Sequence, residues 1–167
     1  MLTKSEKDDI LSTLQLIEAE SYLASNSHYI LSSLWQTISS VLSSLIAISL
    51  LLSLVFICVY VPYNNIVSGS LMLLAAALIA VCVFVKPEKY AFKHFKYAVE
   101  YEEITLTATL YQKYLENSSF NTEAFWIITK DLEATLDDLF AKSPAVPEWV
   151  CEKTISLLEE NDDVYLD

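Results

Sequence analysis

The stretch WQTISSVLSSLIAISLLLSLV, from Trp35 to Val55, decides the fold class of this chain. Its first half carries serines every few residues and one amide, and its second half is almost entirely leucine, isoleucine and valine. A segment this long and apolar fits the roughly 30 Å hydrocarbon core of a bilayer, but lipid offers no hydrogen bonds to its hydroxyls. Whether those polar groups face water or another helix therefore decides between two functions, a pore and a membrane anchor.

The charged residues avoid a long central region. No Asp, Glu, Lys or Arg occurs between Glu20 and Lys86 in this 167-residue sequence. Two stretches are long enough to span a membrane, from Ile38 to Tyr60 and from Ile66 to Val85. The segment VPYNN, from Val61 to Asn65, has turn-forming residues and predicts a tight hairpin between them.

The sequence predicts an all-α protein with three regions. Residues 1–34 are expected to form an N-terminal amphipathic helix, residues 35–86 a transmembrane hairpin, and residues 87–167 a cytosolic, acidic helical region. Pro87 should end or kink the second span near Lys86. The N-terminal helix either lies on the membrane surface or packs on the C-terminal region. Its mixed charge and the late apolar block argue against a cleaved signal peptide.

About three helices are predicted after the membrane. The first has apolar side chains at helical spacing, which predict an oligomer interface or another helix contact. These residues are Phe92, Phe95, Val99, Leu106 and Leu110. Asn121 is expected to cap the second helix, which carries Phe125, Ile128, Leu132, Leu136 and Leu139. The break SPAVP, from Ser143 to Pro147, precedes a last helix with Trp149, Ile155 and Leu158.

The lysines indicate the orientation in the membrane. Four of them follow the second span: Lys86, Lys89, Lys93 and Lys96. Because positive charge favours the cytoplasmic side, the sequence predicts a multi-pass inner-membrane protein with both termini in the cytoplasm.

The charge and the motifs disfavour several functions. From Tyr101 to Asp167, fifteen Asp or Glu stand against four Lys, and the chain has no arginine, so direct nucleic-acid binding is not expected. Gly69 is the only glycine, which excludes a glycine-rich phosphate loop. His28 and His94 look isolated, and no cysteine spacing fits a metal site. We therefore predict no catalytic residues, no metal, no cofactor and no enzyme activity.

A polar stripe follows one face of the first span. Its members are Ser33, Gln36, Ser40, Ser43 and Ser44. One interpretation is close helix packing on the second span, where Ala76 and Ala80 form a small-xxx-small pair. In the other, several copies assemble and the stripe lines a watery path, because two spans cannot enclose a channel in one chain. Both can hold at once.

The layout resembles that of the SLATT domains, which are two-span membrane effectors encoded beside bacterial nucleotide-second-messenger sensors or reverse transcriptases. The resemblance runs from about Trp35 to Leu158 and rests on the short-looped hairpin, the segment AFKHFKYAVEYEEITLTATLYQKYLEN and the SPAVP break. The family often has an arginine beside the histidine after the second span, whereas Phe95 and Lys96 follow His94 here.

The resemblance implies a self-assembling, pore-forming or membrane-disrupting effector of antiphage defence. It also implies a sensor or reverse-transcriptase partner, with the acidic helices receiving the signal or promoting oligomerisation. The alternative is a non-conducting anchor or scaffold that presents a helical interaction module in the cytosol. A small transporter subunit or channel regulator is a third hypothesis.

Overall fold

The computed structural model describes residues 4–59, 63–117 and 122–164, and these residues form helices with no strand among them. The helices are α1 (Lys4–Cys58), α2 (Asn64–Val85), α3 (Pro87–Asn117), α4 (Thr122–Lys142) and α5 (Glu148–Val164). The predicted all-α class is confirmed. Two stretches, in α1 and in the segment beginning with α2, are long and apolar enough to cross a membrane.

Helix α1 is a single helix of 55 residues that includes both the predicted amphipathic segment and the first span. It contains no proline or glycine, so nothing in its sequence breaks the backbone hydrogen bonding. It ends at Cys58, two residues before the predicted end of the span. Val61 and Pro62 of the predicted turn lie outside the described residues. Tyr63 has a left-handed conformation, with φ 72°, and α2 begins directly after it.

The predicted break at Pro87 is confirmed. Helix α2 ends at Val85, and Lys86 adopts a left-handed conformation with φ 50° and ψ 55°. The backbone N–H of Lys86 donates a hydrogen bond to the carbonyl oxygen of Cys82 at 2.9 Å. Proline disfavours a right-handed helical conformation in the residue before it, and its own fixed φ suits the first position of α3. Local chemistry therefore explains this junction.

The helices form two compact units, which differ from the predicted regions. The acidic unit contains Met1–Leu31 and His94–Asp167, and the apolar unit contains Ser32–Lys93. In the acidic unit, the N-terminal part of α1 packs on the helices of the C-terminal region. The sequence left open whether the N-terminal helix lies on the membrane surface or packs on the C-terminal region. The structure has the second arrangement.

Helices α1 and α3 run antiparallel in the acidic unit. The Ser21 hydroxyl lies 2.8 Å from that of Thr105, and the Ser25 hydroxyl donates to the carbonyl oxygen of Ala98 at 2.9 Å. Small side chains at these positions let the two backbones approach closely. Two apolar clusters complete the core with α4. They contain Ile17, Tyr101, Ile104, Ala108 and Leu136, and Ile10, Leu14, Leu115 and Phe125.

The later helices begin close to the predicted positions. Helix α4 starts at Thr122, while the proposed cap Asn121 lies outside the described residues. Helix α5 starts at Glu148, directly after Pro147. Val150 and Thr154 of this helix are buried. The predicted apolar residues Trp149 and Ile155 are exposed instead.

Candidate functional site

The polar stripe of α1 lies on the surface of the apolar unit. All five of its side chains are exposed, namely Ser33, Gln36, Ser40, Ser43 and Ser44. Within the part of the chain that the structure describes, none of them makes a side-chain hydrogen bond. Ser43 lines a groove beside α2. The stripe as a whole, however, does not pack on α2 of the same chain.

Other serines form the packed face of α1. Ser32, Ser39 and Ser53 are buried, at spacings of seven or fourteen residues, which return to the same face of a helix. The Ser53 hydroxyl lies 2.9 Å from the Ser68 hydroxyl on α2, and the Ser32 hydroxyl donates to the carbonyl oxygen of Ala91 at 2.9 Å. The buried serines thus hold α1 against its neighbouring helices, whereas the serines of the stripe, on the neighbouring face, stay exposed.

The predicted small-residue contact on α2 is displaced by one position. Ala75 is buried, together with Ser68, whereas Ala76 and Ala80 are exposed. The predicted Ala76–Ala80 pair is therefore wrong as the contact within the hairpin. Successive helix positions differ by about 100°, so this one-residue difference moves the contact to another face.

Exposed hydroxyls elsewhere in the apolar unit bond to their own helix. The hydroxyls of Thr37 and Ser70 donate to the carbonyl oxygens of Ser33 and Ile66, each at 2.8 Å. Such a bond to the residue four positions earlier satisfies a hydroxyl without a second helix. Ser70, which lies on α2, is a natural control for the stripe, whereas Thr37 shares the face of α1 with Ser33 and Ser40.

The four lysines after the second span are all exposed: Lys86, Lys89, Lys93 and Lys96. Lys96 lies 3.4 Å from the Glu100 carboxylate, one helical turn later in the acidic unit. Lys86 and Lys89 line a groove of the apolar unit, whereas Lys93 and Lys96 do not. The lysines therefore fall into two pairs with different surroundings.

The two histidines meet in the acidic unit, so the prediction that they are isolated is wrong. The Nδ1 atoms of His28 and His94 lie 2.8 Å apart, and both rings are buried. The His28 ring stacks on Tyr101, with ring centres 5.5 Å apart. Burial, and to a smaller extent His94, lower the pKa of His28 from 6.5 to about 4. A neutral pair in which one Nδ1–H donates to the other Nδ1 fits this arrangement.

A cleft of about 540 Å³ opens beside the histidine pair. Its lining includes His28, Tyr101, Phe140, Ser143, Pro144 and Cys151. The Tyr101 hydroxyl donates to the Ser143 hydroxyl at 3.0 Å, which ties α3 to the SPAVP segment. Among the described residues there is no cluster of three or more metal-binding side chains. The cleft thus offers a concave shape and aromatic surface beside the histidine pair.

The predicted oligomer-interface residues on α3 are also exposed. Phe92 belongs to the apolar unit and the other four to the acidic unit: Phe95, Val99, Leu106 and Leu110. The buried residues of α3 in the acidic unit lie on another face and include Ala98, Tyr101 and Ala108. These five predicted positions therefore do not supply the core of their own chain.

Comparisons with protein-family models, with curated proteins and with solved structures give no match to this chain.

Proposed function

We propose that this chain is a two-span inner-membrane protein that self-assembles through the polar stripe of α1 and forms a water-filled path. The exposure of the stripe carries the proposal. Its residues lie on the surface of the apolar unit, and no residue of the described chain supplies hydrogen bonds to their side chains. In a bilayer another copy or water would satisfy these groups.

The exposed apolar surface of the apolar unit supports membrane insertion. Only 11% of the most apolar 18-residue window of either candidate span is buried. The core helix of a water-soluble domain would be mostly buried, because exposed apolar surface in water is unfavourable. Large exposed side chains such as Leu51, Leu73 and Phe84 fit contact with lipid.

Self-assembly follows from helix number and polarity. Two spans leave no lumen within one chain, so a conducting path requires several copies. Serine and glutamine side chains between membrane helices form hydrogen bonds worth roughly 0.5–2 kcal/mol each. The stripe thus supplies both an association surface and, where it is not packed, a polar lining. Since it carries no charged side chain, the path would discriminate weakly between anions and cations.

The lysines after α2 support a topology with both termini in the cytoplasm. All four are on one side of the predicted hairpin, and positive charge is retained on the cytoplasmic side of bacterial membranes. The acidic unit would then face the cytoplasm. Its cleft and the exposed apolar side chains of α3 are suitable places for a regulating contact.

The biological setting rests on the SLATT resemblance alone. We propose that assembly causes arrest or death of an infected cell, and that a sensor or reverse-transcriptase partner controls it. The acidic unit would receive that signal, since it contains most of the polar surface outside the spans.

A second function is favoured by the surface of α3. Val99, Leu106 and Leu110 are exposed and border a groove flanked by Glu102 and Glu103. A non-conducting anchor that presents this face to a cytosolic partner would explain their exposure without any pore. In that case the stripe of α1 would serve only to pack one copy on another.

Leakage from liposomes separates the two functions. The full-length protein would be reconstituted at increasing protein-to-lipid ratios, and release of a trapped dye would be recorded. We expect leakage that rises steeply with density and is lost in the Gln36→Leu/Ser40→Leu variant. The control is Ser70→Leu, which removes an exposed hydroxyl on α2 that already bonds to its own helix. Equal leakage from both variants would contradict a path lined by the stripe.

A further inference from the structure

A groove of about 450 Å³ lies where α2 ends, entirely within the apolar unit. One wall is apolar and consists of Ile46 from α1 with Ile79 and Val83 from α2. Lys86 and Lys89 line the same groove. The same groove is therefore lined by apolar side chains and by two ammonium groups.

The break between α2 and α3 creates this combination. Lys86 takes the left-handed conformation and α3 starts at Pro87, so Lys86 and Lys89 no longer follow the helical path of α2. A non-glycine residue in this conformation costs roughly 1 kcal/mol, and such positions are concentrated at functional sites. The buried Pro87 secures the junction against the rest of the unit.

The charge of the groove favours an anion. Glu88 also lines it, and the Ser39 hydroxyl donates to Glu88 Oε1 at 3.3 Å. The lining thus has two ammonium groups against one carboxylate. Within the described residues, neither Lys86 nor Lys89 takes part in an ion pair.

We propose that this groove binds an anionic phospholipid. The phosphodiester would lie between the ammonium groups of Lys86 and Lys89, and an acyl chain would follow Ile79 and Val83 along α2. The side chains of Ile79 and Val83 are 45% and 59% exposed, which suits contact with an acyl chain and not with water. Basic pockets beside membrane helices on the cytoplasmic side are suited to such headgroups. This inference rests on the proposed membrane insertion but does not need a pore.

The test uses the full-length protein in a nonionic detergent, titrated with dioleoyl phosphatidylglycerol or dioleoyl phosphatidylcholine and followed by native mass spectrometry. Lys86→Gln/Lys89→Gln removes the two charges of the groove. Lys93→Gln/Lys96→Gln removes the same charge from lysines outside it. All four side chains are exposed, so neither variant disturbs a core.

We expect phosphatidylglycerol to bind more tightly than phosphatidylcholine, with the groove variant losing about 30-fold in affinity and the control no more than about twofold. Equal losses in the two variants would show unspecific attraction to charge and overturn the proposal. Inorganic phosphate or glycerol phosphate that displaces the lipid at equal concentration would also overturn it, because the apolar wall would then contribute nothing.

Failure of this inference is distinguishable from failure of the proposed function. Protein that alkaline carbonate extracts from membranes would overturn both. Protein that stays in the membrane but shows no preference for phosphatidylglycerol would overturn the lipid site only. Loss of dye leakage in the Gln36→Leu/Ser40→Leu variant, whose two residues lie outside the groove, with unchanged lipid binding would support both proposals.

Discussion

The buried histidine pair should make the protein less stable in mild acid. His28 faces His94, Tyr97 and Tyr101 on α3, and Cys151 on α5 shares the adjoining cleft. Two imidazolium rings cannot share the 2.8 Å contact between the Nδ1 atoms, because each would present only a donor. Protonation of His28 alone keeps an Nδ1–H donor for neutral His94 but places a charge in a buried site, and protonation of both rings also removes the acceptor, so acid opposes the pairing of α1 and α3. Glu20 also lines the cleft, so a carboxylate is near but no hydrogen bond joins it to the ring in the described structure.

The size of the effect follows from the pKa of His28. In the unfolded chain this ring takes up a proton near its ordinary pKa of 6.5, whereas in the folded chain its pKa is lowered to about 4. The unfolded state therefore binds more protons between these values, and the free energy of unfolding falls as the pH falls through this window. Above pH 6.5 the effect is absent. At about pH 5 it amounts to roughly 2 kcal/mol.

Thermal or denaturant unfolding in detergent, followed by circular dichroism, measures this loss. The reference is His28→Asn, whose amide can still donate to His94 Nδ1 but does not titrate. The carboxylates of the acidic unit are the same in both proteins, so their contribution cancels in the comparison. We expect the wild type to lose about 2 kcal/mol more than the variant between about pH 7.5 and pH 5. Identical pH slopes would refute the reasoning about the buried pair.

Three further substitutions test the packing, each through the free energy of unfolding. Ser53→Ala removes the hydroxyl that lies 2.9 Å from that of Ser68, and we expect a loss of about 0.5–1 kcal/mol in detergent micelles. Tyr101→Phe removes the hydroxyl that donates to Ser143, for a loss of about 1 kcal/mol; no change would mean that this bond is replaced by water. Leu14→Ala opens a cavity in a fully buried cluster and should cost about 2–5 kcal/mol, whereas a loss below about 1 kcal/mol would contradict the packing of α1 on α3 and α4.

The parts of the fold that depend on local chemistry could be predicted from the sequence. The break at Pro87 follows from the restricted backbone of proline and of the residue before it. The start of α5 follows in the same way from the prolines of SPAVP. The helical class follows from the apolar pattern and the scarcity of glycine.

The histidine pair could not be predicted, because it depends on the register of α1 against α3. His28 and His94 are 66 residues apart in sequence, and no spacing rule for metal or catalytic sites connects them. One feature of the sequence, the spacing of the histidines from buried residues, does indicate the pair. His28 lies seven residues after Ser21, and His94 seven before Tyr101, so each histidine continues the buried face of its helix.

The choice between neighbouring serines was also beyond the sequence. Ser32 and Ser33, and Ser39 and Ser40, are adjacent pairs with the same side chain. Either member of each pair has the spacing needed for packing on another helix. The structure places Ser32 and Ser39 inside and leaves Ser33 and Ser40 exposed, since the rotation of α1 is set by its contacts with α2 and α3 inside the apolar unit.

Cysteine crosslinking in membranes tests the central claim, self-assembly through the stripe, most directly. In a background without the native cysteines, Ser40→Cys and Ser39→Cys would be compared under the same oxidant. These neighbours differ in the described chain by exposure, with Ser40 exposed and Ser39 buried. The account predicts disulfide-linked dimers for Ser40→Cys and few or none for Ser39→Cys. No dimer from Ser40→Cys, or equal dimer from both, would contradict it.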